Sequence, residues 1–536
     1  MRSMVSPTSF RAFAELCKGL EASRSRNKKA QLISDFISTL LPAEVPIAAR
    51  FLTGRVLSEH EVKKLGVGGA TLWKLTKADS LQTSLLPTEA GQSLLEVSSA
   101  FESLAALSGA DRKQRAENIL QGLFSRFSEL EKRYAFRLLS GEMEIGAVDG
   151  VLLAAIASSS KLSLDQVRRA YMIMGDIGKI AAQSLTNPSA VATVKISLLS
   201  PVRPMLASTA TDIREIIGHH RNGTAFEYKY DGARIQIHKN GEQVRVFSRR
   251  LSDVTRSIPE IVTTARELIE SKRVLLEGEV VAVGTNFRPL PFQDLMRRFR
   301  RVHDIAGTTR KIPLRLHLFD ILLLGDEELI DRSYKERRTI LEREIPTELL
   351  TPQVVTKDEG EIRRLFDKAI AEGHEGLMAK ALESRYEVGM RGKRWFKLKK
   401  AETLDLVIVA ADWGYGRRRG WLSNYHLAAR DEGSGELLVV GKTFKGLTDR
   451  EFTKMTKRLK DLKSSETEYM VTVKPDVVVE VAYDEIQRSP HYKSGFALRF
   501  ARITRIRNDK SLDEVDSLQK LRGLYGQQFA RKGMLG

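Results

Sequence analysis

A chain of 536 residues, 42% hydrophobic and 29% charged, holds apolar material for several cores, about three domains at 100–200 residues each. Its single cysteine, Cys17, excludes an internal disulfide framework and a cysteine-based zinc module. No apolar run approaches the ~20 residues of a membrane span, and Met1 to Phe10 lacks the apolar core of a signal peptide, so an intracellular protein is expected. The net charge of +19, with a pI near 9.7, is concentrated in Arg297-Arg298-Phe299-Arg300-Arg301, Arg417 to Arg419 and Lys393 to Lys400. That clustering points to a polyanionic partner without separating DNA from RNA.

Residues 1–200 read as helical, with apolar residues at three-to-four spacing in Phe10 to Lys18, Lys28 to Leu41, Ala116 to Arg126, Leu130 to Leu139 and Leu162 to Ile173. Ser140 to Gly146 reads as a loop between two helices, suited to close backbone approach. Pro201 and Pro204 mark a linker. From residue 205 the period changes. Phe226 to Tyr230, Ala233 to His238, Gln243 to Ser248, Val274 to Val283 and Leu314 to Leu324 read as strands, with helices at Ile258 to Ser271 and Glu361 to Glu372. The short link at Asn240-Gly241 makes this an α+β domain with antiparallel sheets over 205–400. Strands return at Leu404 to Ala411, Glu436 to Lys442, Tyr469 to Val473 and Val477 to Asp484, with one helix at Asp449 to Lys463. This pattern fits an OB-fold β-barrel over 401–536.

The most informative segment is Glu227-Tyr228-Lys229-Tyr230-Asp231-Gly232-Ala233-Arg234. A lysine on a half-buried strand loses solvation, which favours the neutral, nucleophilic amine over the ammonium of a free lysine, with its pKa of about 10.4. On Lys-x-Asp-Gly alone, a lysine that merely reaches out of a strand end is an equal reading. Six further segments decide the matter. Phe247-Ser248-Arg249 ends a strand with an arginine. Leu276 to Val281 carries Glu279 inside an apolar strand, and Leu316 to Asp320 sets Phe319 beside an acid. Glu375 to Lys380 has an acid and a lysine at its two ends. Arg391 to Lys399 alternates cations with apolar residues, so Lys397 and Lys399 share one face. Arg502 to Lys510 reads as a basic strand. Charges placed repeatedly inside apolar strands are costly unless they serve ligands or one another. Cations for phosphate oxygens, carboxylates for a divalent metal and an aromatic for a base together suit phosphoryl chemistry. The Walker A and kinase motif sets are absent.

This ordered set resembles motifs I, Ia, III, IIIa, IV, V and VI of the covalent nucleotidyltransferase superfamily. More narrowly, the chain resembles ATP-dependent DNA ligases of the archaeal and eukaryotic replicative type. The likeness runs nearly end to end and includes Leu138-Leu139-Ser140-Gly141 through Ile145-Gly146 in a helical DNA-binding domain. The resemblance implies that Lys229 takes AMP from ATP, that AMP passes to the 5′-phosphate of a nick, and that the 3′-hydroxyl displaces it. It implies that Glu227 reads the adenine amino group, that Arg234 and Arg249 contact ribose and phosphate, and that Phe319 stacks on adenine. Glu279 is implied as an acid that contacts ribose or Mg²⁺, Glu375 as a second Mg²⁺-associated acid, and Arg391, Lys397 and Lys399 as phosphate contacts. Arg505, Arg507, Asp509 and Lys510 match a C-terminal motif that orients pyrophosphate in the first step, through rotation about Lys400 to Thr403. Nicked duplex DNA is the implied partner of a monomeric intracellular enzyme of replication, recombination and repair, cytoplasmic and nucleoid-associated if the source is prokaryotic. Gln82-Thr83-Ser84-Leu85-Leu86 lies where related ligases carry a sliding-clamp peptide, but Leu-Leu replaces the usual aromatic pair, which favours a simple loop with buried leucines over a clamp contact. RNA ligases and capping enzymes share Lys-x-Asp-Gly but not the long helical N-terminal region. NAD-dependent ligases carry a four-cysteine module, and a non-catalytic DNA clamp has no need of an intact nucleophile.

Overall fold

The computed structural model describes residues 6–58, 65, 91–109, 111–210, 212–284, 287–299, 305–387, 393–399, 402–414, 418, 420–530 and 532. Gln82 to Leu86 and Arg391 lie outside them. The N-terminal region is built of helices, among them Phe10–Ala22, Arg26–Thr39, Glu129–Ser140 and Asp149–Ser160. Their apolar stripes meet in one core around Phe10, Phe13, Phe51, Phe101 and Tyr134. Helix Glu129–Ser140 starts at a capping box formed by Ser128 and Glu131 and stops at Gly141, whose φ is +72°, a left-handed cap that favours glycine. The Ser140 to Gly146 connection follows and is held at its far end by Lys29 Nζ donating to the Ile145 carbonyl at 2.7 Å.

The central region pairs two five-stranded sheets. The first has the order β1 (Ser208–Ala210), β10 (Trp395–Lys399), β9 (Gly376–Ala381), β2 (Thr224–Lys229), β8 (Gln353–Val355). The second has the order β4 (Gln243–Ser248), β3 (Ala233–Asn240), β5 (Arg273–Ala282), β6 (Leu314–Leu324), β7 (Glu327–Glu328). All pairings are antiparallel except β1 with β10. Strand alternation divides each sheet into two faces. In the first sheet, Phe226, Leu377, Ala379, Phe396 and Leu398 form a core that also takes in Ile213, Ile216, Ile362 and Ala369 of two helices. The other face carries Glu227, Lys229, Lys380, Lys397 and Lys399. In the second sheet, Ile235, Ile237, Leu276, Val280 and Leu318 pack on helix Pro259–Leu268, leaving Arg234, Gln236, Glu277 and Glu279 on the opposite face. The two charged faces look at each other: the Arg234 guanidinium of β3 stands 5.5 Å from the Trp395 ring of β10.

The third region is strand-rich. Its main sheet runs β13 (Leu437–Thr443), β12 (Leu422–Arg430), β11 (Glu402–Trp413), β15 (Met470–Tyr483), β14 (Lys463–Glu466), with β18 (Arg502–Ile506) also on β15. β16 (Glu485–Arg488) and β17 (Phe496–Arg499) form a separate pair. The arrangement is consistent with an OB-fold, although the strand pairings among the described residues do not close into a barrel. The two strands expected at Tyr469 to Val473 and Val477 to Asp484 are one strand. Its register against β11 jumps from Val477 to Thr472, and Pro475, which lacks a ladder N–H, sits in that irregularity. Helices Phe292–Phe299, Ile305–Lys311 and Tyr334–Glu344 were not anticipated. The last is so rich in charge that its apolar period is weak, although its Ser333/Glu336 capping box is a readable start signal. Among the described residues no helix is long and apolar enough to cross a membrane.

Candidate active site

Lys229 ends β2 opposite Gly376 of β9, and the Glu375 amide donates to the Lys229 carbonyl at 2.9 Å. This places Lys229 Nζ 2.6 Å from Glu375 Oε2, with Lys399 Nζ 2.8 Å from the same oxygen and 3.1 Å from Asp484 Oδ2 of the third region. Two glycines permit this crowding. A Cβ on Gly376, whose φ is +140°, would stand 2.2 Å from the Leu398 carbonyl oxygen, and a Cβ on Gly232 would stand 2.6 Å from the Val280 carbonyl oxygen and 2.7 Å from Glu279 Cγ. The glycine of Lys-x-Asp-Gly is therefore required by the approach of β5.

The electrostatics differ from the sequence expectation. Burial pulls the Lys229 ammonium down, but the carboxylates of Glu375, Glu279 and Asp231 outweigh it and hold it above the ordinary lysine value. The free protein thus keeps this lysine charged. Burial works against ionised Glu375, yet Lys229 and Lys399 draw its carboxyl down to about 2. Burial pushes Glu279 up to about 7, with Lys229 and Arg234 opposing. Lys397 is lowered by burial and by the neighbouring charges of Lys399 and Lys229.

The cleft continues to Glu227, whose side chain is 2% exposed and 2.6 Å from the equally buried Lys380 Nζ. Gln353 Nε2 donates to Glu227 at 3.1 Å, the Tyr334 hydroxyl also donates to it, and Arg338 stands 3.8 Å away. The Lys380 ammonium sits 4.3 Å from the centre of the Phe319 ring. Arg234 pairs at 2.6 Å with Glu277 rather than with Glu279 and lies 5.4 Å from Phe319. Arg249 is exposed just past β4, its amide donating to the Arg234 carbonyl at 3.1 Å.

Residues 9–84 and 76–157 match the model of the DNA ligase N terminus, 204–399 that of the ATP dependent DNA ligase domain, and 418–510 that of the ATP dependent DNA ligase C terminal region. The chain belongs to the ATP-dependent DNA ligase family. A probable DNA ligase of Anaeromyxobacter dehalogenans (strain 2CP-C) is 41% identical over 96% of this chain and 99% of its own. DNA ligase 1 of Korarchaeum cryptofilum is 40% identical over 97% and 98%, and the DNA ligase of Thermococcus onnurineus 38% identical over 96% and 97%. A solved structure described as "Pmar-Lig_Pre." shares the fold, with a TM-score of 0.59 at 18% identity over 92% of this chain and 99% of that one.

In this member of the ATP-dependent DNA ligase family, the structure brings Lys229, Glu279, Glu375, Lys397 and Lys399 together at one end of the cleft, and Glu227, Arg234 and Phe319 at the other. It does not bring the C-terminal motif there. Arg507 pairs with Asp405 at 3.0 Å and Asp509 at 2.7 Å, Lys510 with Asp405 at 2.7 Å, and Arg505 lies opposite Glu480 on β15. The third region instead contributes Asp484, Glu485 and Lys532. Lys532 Nζ lies 2.7 Å from Asp231 and 3.4 Å from Glu485, and the Arg499 guanidinium covers the Phe292 ring at 4.1 Å. Asp484-Glu485, at the end of a long apolar strand, was a visible signal for such a role; the isolated Lys532 carried none. Tyr334 and Gln353 gave no signal either, because only the pairing of β2 with β8 and the packing of a distant helix bring them to Glu227.

Proposed function

We propose that this protein seals nicks in duplex DNA through a lysyl-AMP intermediate on Lys229. The observation that carries the reading is the Lys229, Glu375 and Lys399 cluster at the mouth of a cleft whose two walls are charged. Lys229 Nζ, after losing a proton, forms a bond to the α-phosphorus of ATP as the bond to pyrophosphate breaks. A 5′-phosphate oxygen of the nick then takes the adenylyl group and releases the lysine. Finally the 3′-hydroxyl attacks that 5′-phosphate, AMP leaves, and the phosphodiester is closed. Covalent capture divides one hard displacement into easier steps.

Glu227 reads the exocyclic amine of adenine and Phe319 stacks on the ring. Arg234 and Arg249 serve ribose and phosphate, and Arg391, Lys397 and Lys399 the phosphates. Because Arg505, Arg507, Asp509 and Lys510 are engaged away from the cleft, their use with pyrophosphate requires the third region to turn about residues 400–403. Carboxylates suit a hard cation such as Mg²⁺. Glu279, raised by burial beside Glu375 and Asp231, is a carboxylate whose charge a cation would relieve. Among the described residues no three acidic, His or Cys side chains form a metal cluster; Glu279 and Glu375 are the carboxylates that would hold such an ion. The ion would neutralise charge developing on the transferred phosphoryl group. Residues 1–200, 205–400 and 401–536 act as DNA-binding, adenylation and OB units of a monomer inside the cell. They hold the duplex by its phosphates without reading its sequence, and Gln82 to Leu86 offers a sliding-clamp contact.

Incubation with α-labelled ATP, GTP or NAD followed by denaturing electrophoresis tests the reading. A label from ATP that survives denaturation and is absent in Lys229→Ala is expected; labelling from GTP alone would overturn it.

A further inference from the structure

The segment Pro201 to Met205, which joins the N-terminal helices to β1, is built into the interior: Val202 and Met205 are 1% and 2% exposed. It shares one core with Met172 and Ile173 of the helix Leu164–Met174 and with Phe319, Tyr386 and Trp395 of the central region. Its residues are bonded in both directions. Toward the helices, the Arg203 amide donates to the Met172 carbonyl at 2.9 Å. The Arg203 guanidinium donates to the Gly175 carbonyl at 3.1 Å and to Asp149 at 3.4 Å, and lies 4.2 Å over the Tyr171 ring. Toward the cleft, Val202 exchanges two hydrogen bonds with the Gln236 side chain, at 3.0 and 2.7 Å, and the Met205 carbonyl accepts from Arg234 Nη1 at 2.6 Å. The Met205 amide donates to the Tyr386 hydroxyl at 3.0 Å, and that hydroxyl also accepts from Arg234 Nη2 at 3.3 Å. Glu277 completes the set, accepting from Gln236 at 3.1 Å and from Arg234 at 2.6 Å. Arg234 is thus held by Met205, Tyr386 and Glu277, with 15% of its side chain still exposed.

A free arginine spreads over many rotamers, and one held in place beforehand loses less freedom when a ligand arrives. We propose that Met205 and Tyr386 are positioning residues for nucleotide capture: they aim Arg234 into the cleft, and through Arg203 they make that aim depend on where the N-terminal helical region stands. The inference rests on the reading above that Arg234 serves the ribose and phosphate of the nucleotide. Tyr386 is 3% exposed, and Arg203 is anchored among the helices, so each acts through Arg234 and not by touching nucleotide. Linkage is reciprocal, so a nucleotide bound to the aimed arginine in turn favours this placement of the N-terminal region.

The test measures lysyl-AMP formation against ATP concentration, with α-labelled ATP, in the full chain and in Tyr386→Phe and Arg203→Met. Tyr386→Phe removes only the hydroxyl and keeps the ring that packs edge-on against Trp395 at 6.2 Å. The half-saturating ATP concentration is expected to rise about fivefold or more in both variants, the lower end of ordinary coupling between sites. The rate at saturating ATP is expected to stay within about twofold, as when an interaction common to ground and transition states is lost. Because Tyr386 acts through Arg234, adding Tyr386→Phe to Arg234→Met should raise half-saturation no further. An unchanged half-saturation in either single variant overturns the proposal, even if the thermal midpoint falls, since that pattern is a structural role alone. Additivity of Tyr386→Phe with Arg234→Met also overturns it. If Arg234→Met fails to fold, the two single variants decide. Dialysis of the same proteins against labelled α,β-methylene-ATP, whose α–β bridge cannot break, measures nucleotide affinity without the reaction. A parent that binds this analogue but forms no lysyl-AMP fails the sealing reaction, and the analogue affinities of the variants then judge this inference separately.

Discussion

Replacing Lys380 with methionine removes one half of an ion pair whose members are each 2% exposed and 2.6 Å apart. The Glu227 carboxyl would be left buried without its cation, with Tyr334, Gln353 and the more distant Arg338 for compensation. Breaking a buried pair by removing one partner costs about 3–5 kcal/mol, because the survivor is an uncompensated charge. The two neutral donors that remain place the expected loss near the lower end, about 3 kcal/mol. Methionine matches the lysine stem in length and keeps contact with the rings of Phe319, Tyr334 and Trp395, all within 5 Å of the ammonium, so little of the loss arises from packing. Urea denaturation of the single variants Lys380→Met and Glu227→Gln and of the double variant gives the coupling directly. The double variant is expected to recover about 2 kcal/mol relative to the sum of the single changes, as contacting residues do. A loss below about 1 kcal/mol for Lys380→Met, or strict additivity of the two substitutions, would refute the view that Lys380 holds the Glu227 carboxylate in place.

Further outcomes follow from the same geometry. Glu279 has a folded value of about 7 against 4.5 ordinarily; the folded state therefore binds more protons between those values, and stability contributed below pH 4.5 is lost as pH rises through 7. In metal-free buffer, Glu279→Gln should be more stable than the parent by about 3 kcal/mol at pH 8 and equal to it below pH 4.5; equal thermal midpoints at pH 8 would contradict the burial argument. Gly376→Ala should cost at least about 2 kcal/mol and suppress lysyl-AMP formation, since its Cβ falls 2.2 Å from the Leu398 carbonyl oxygen at a φ of +140°; a normal adenylation rate would show that the β9–β10 spacing is not critical. Affinity for nicked duplex should fall by about 10³-fold or more between 50 and 200 mM salt if six or more phosphates are contacted, and a salt-insensitive dissociation constant would exclude binding through the phosphate backbone.

Sequence periodicity and motif order were enough for the helical, α+β and strand-rich regions in their order along the chain. Through the ordered motifs they were also enough for the ligase family. These are local properties: strand alternation puts Glu227 with Lys229 on one face of β2, and Lys397 with Lys399 on one face of β10, whatever the rest of the chain does. Tertiary structure alone decided which charges meet. Lys229 faces Glu375 because β2 and β9 pair in one particular register, and Arg234 takes Glu277 although the β3–β5 register sets it directly opposite Glu279. Asp484 reaches Lys399 from 85 residues away, Lys532 reaches Asp231 from 301, and Arg507 is held by Asp405 instead. The protonation of Lys229 could not be read from its neighbours in sequence for the same reason. Burial works against its charge, and the carboxylates of Glu375 and Glu279, brought by other parts of the fold, join the nearby Asp231 in holding it above the ordinary lysine value.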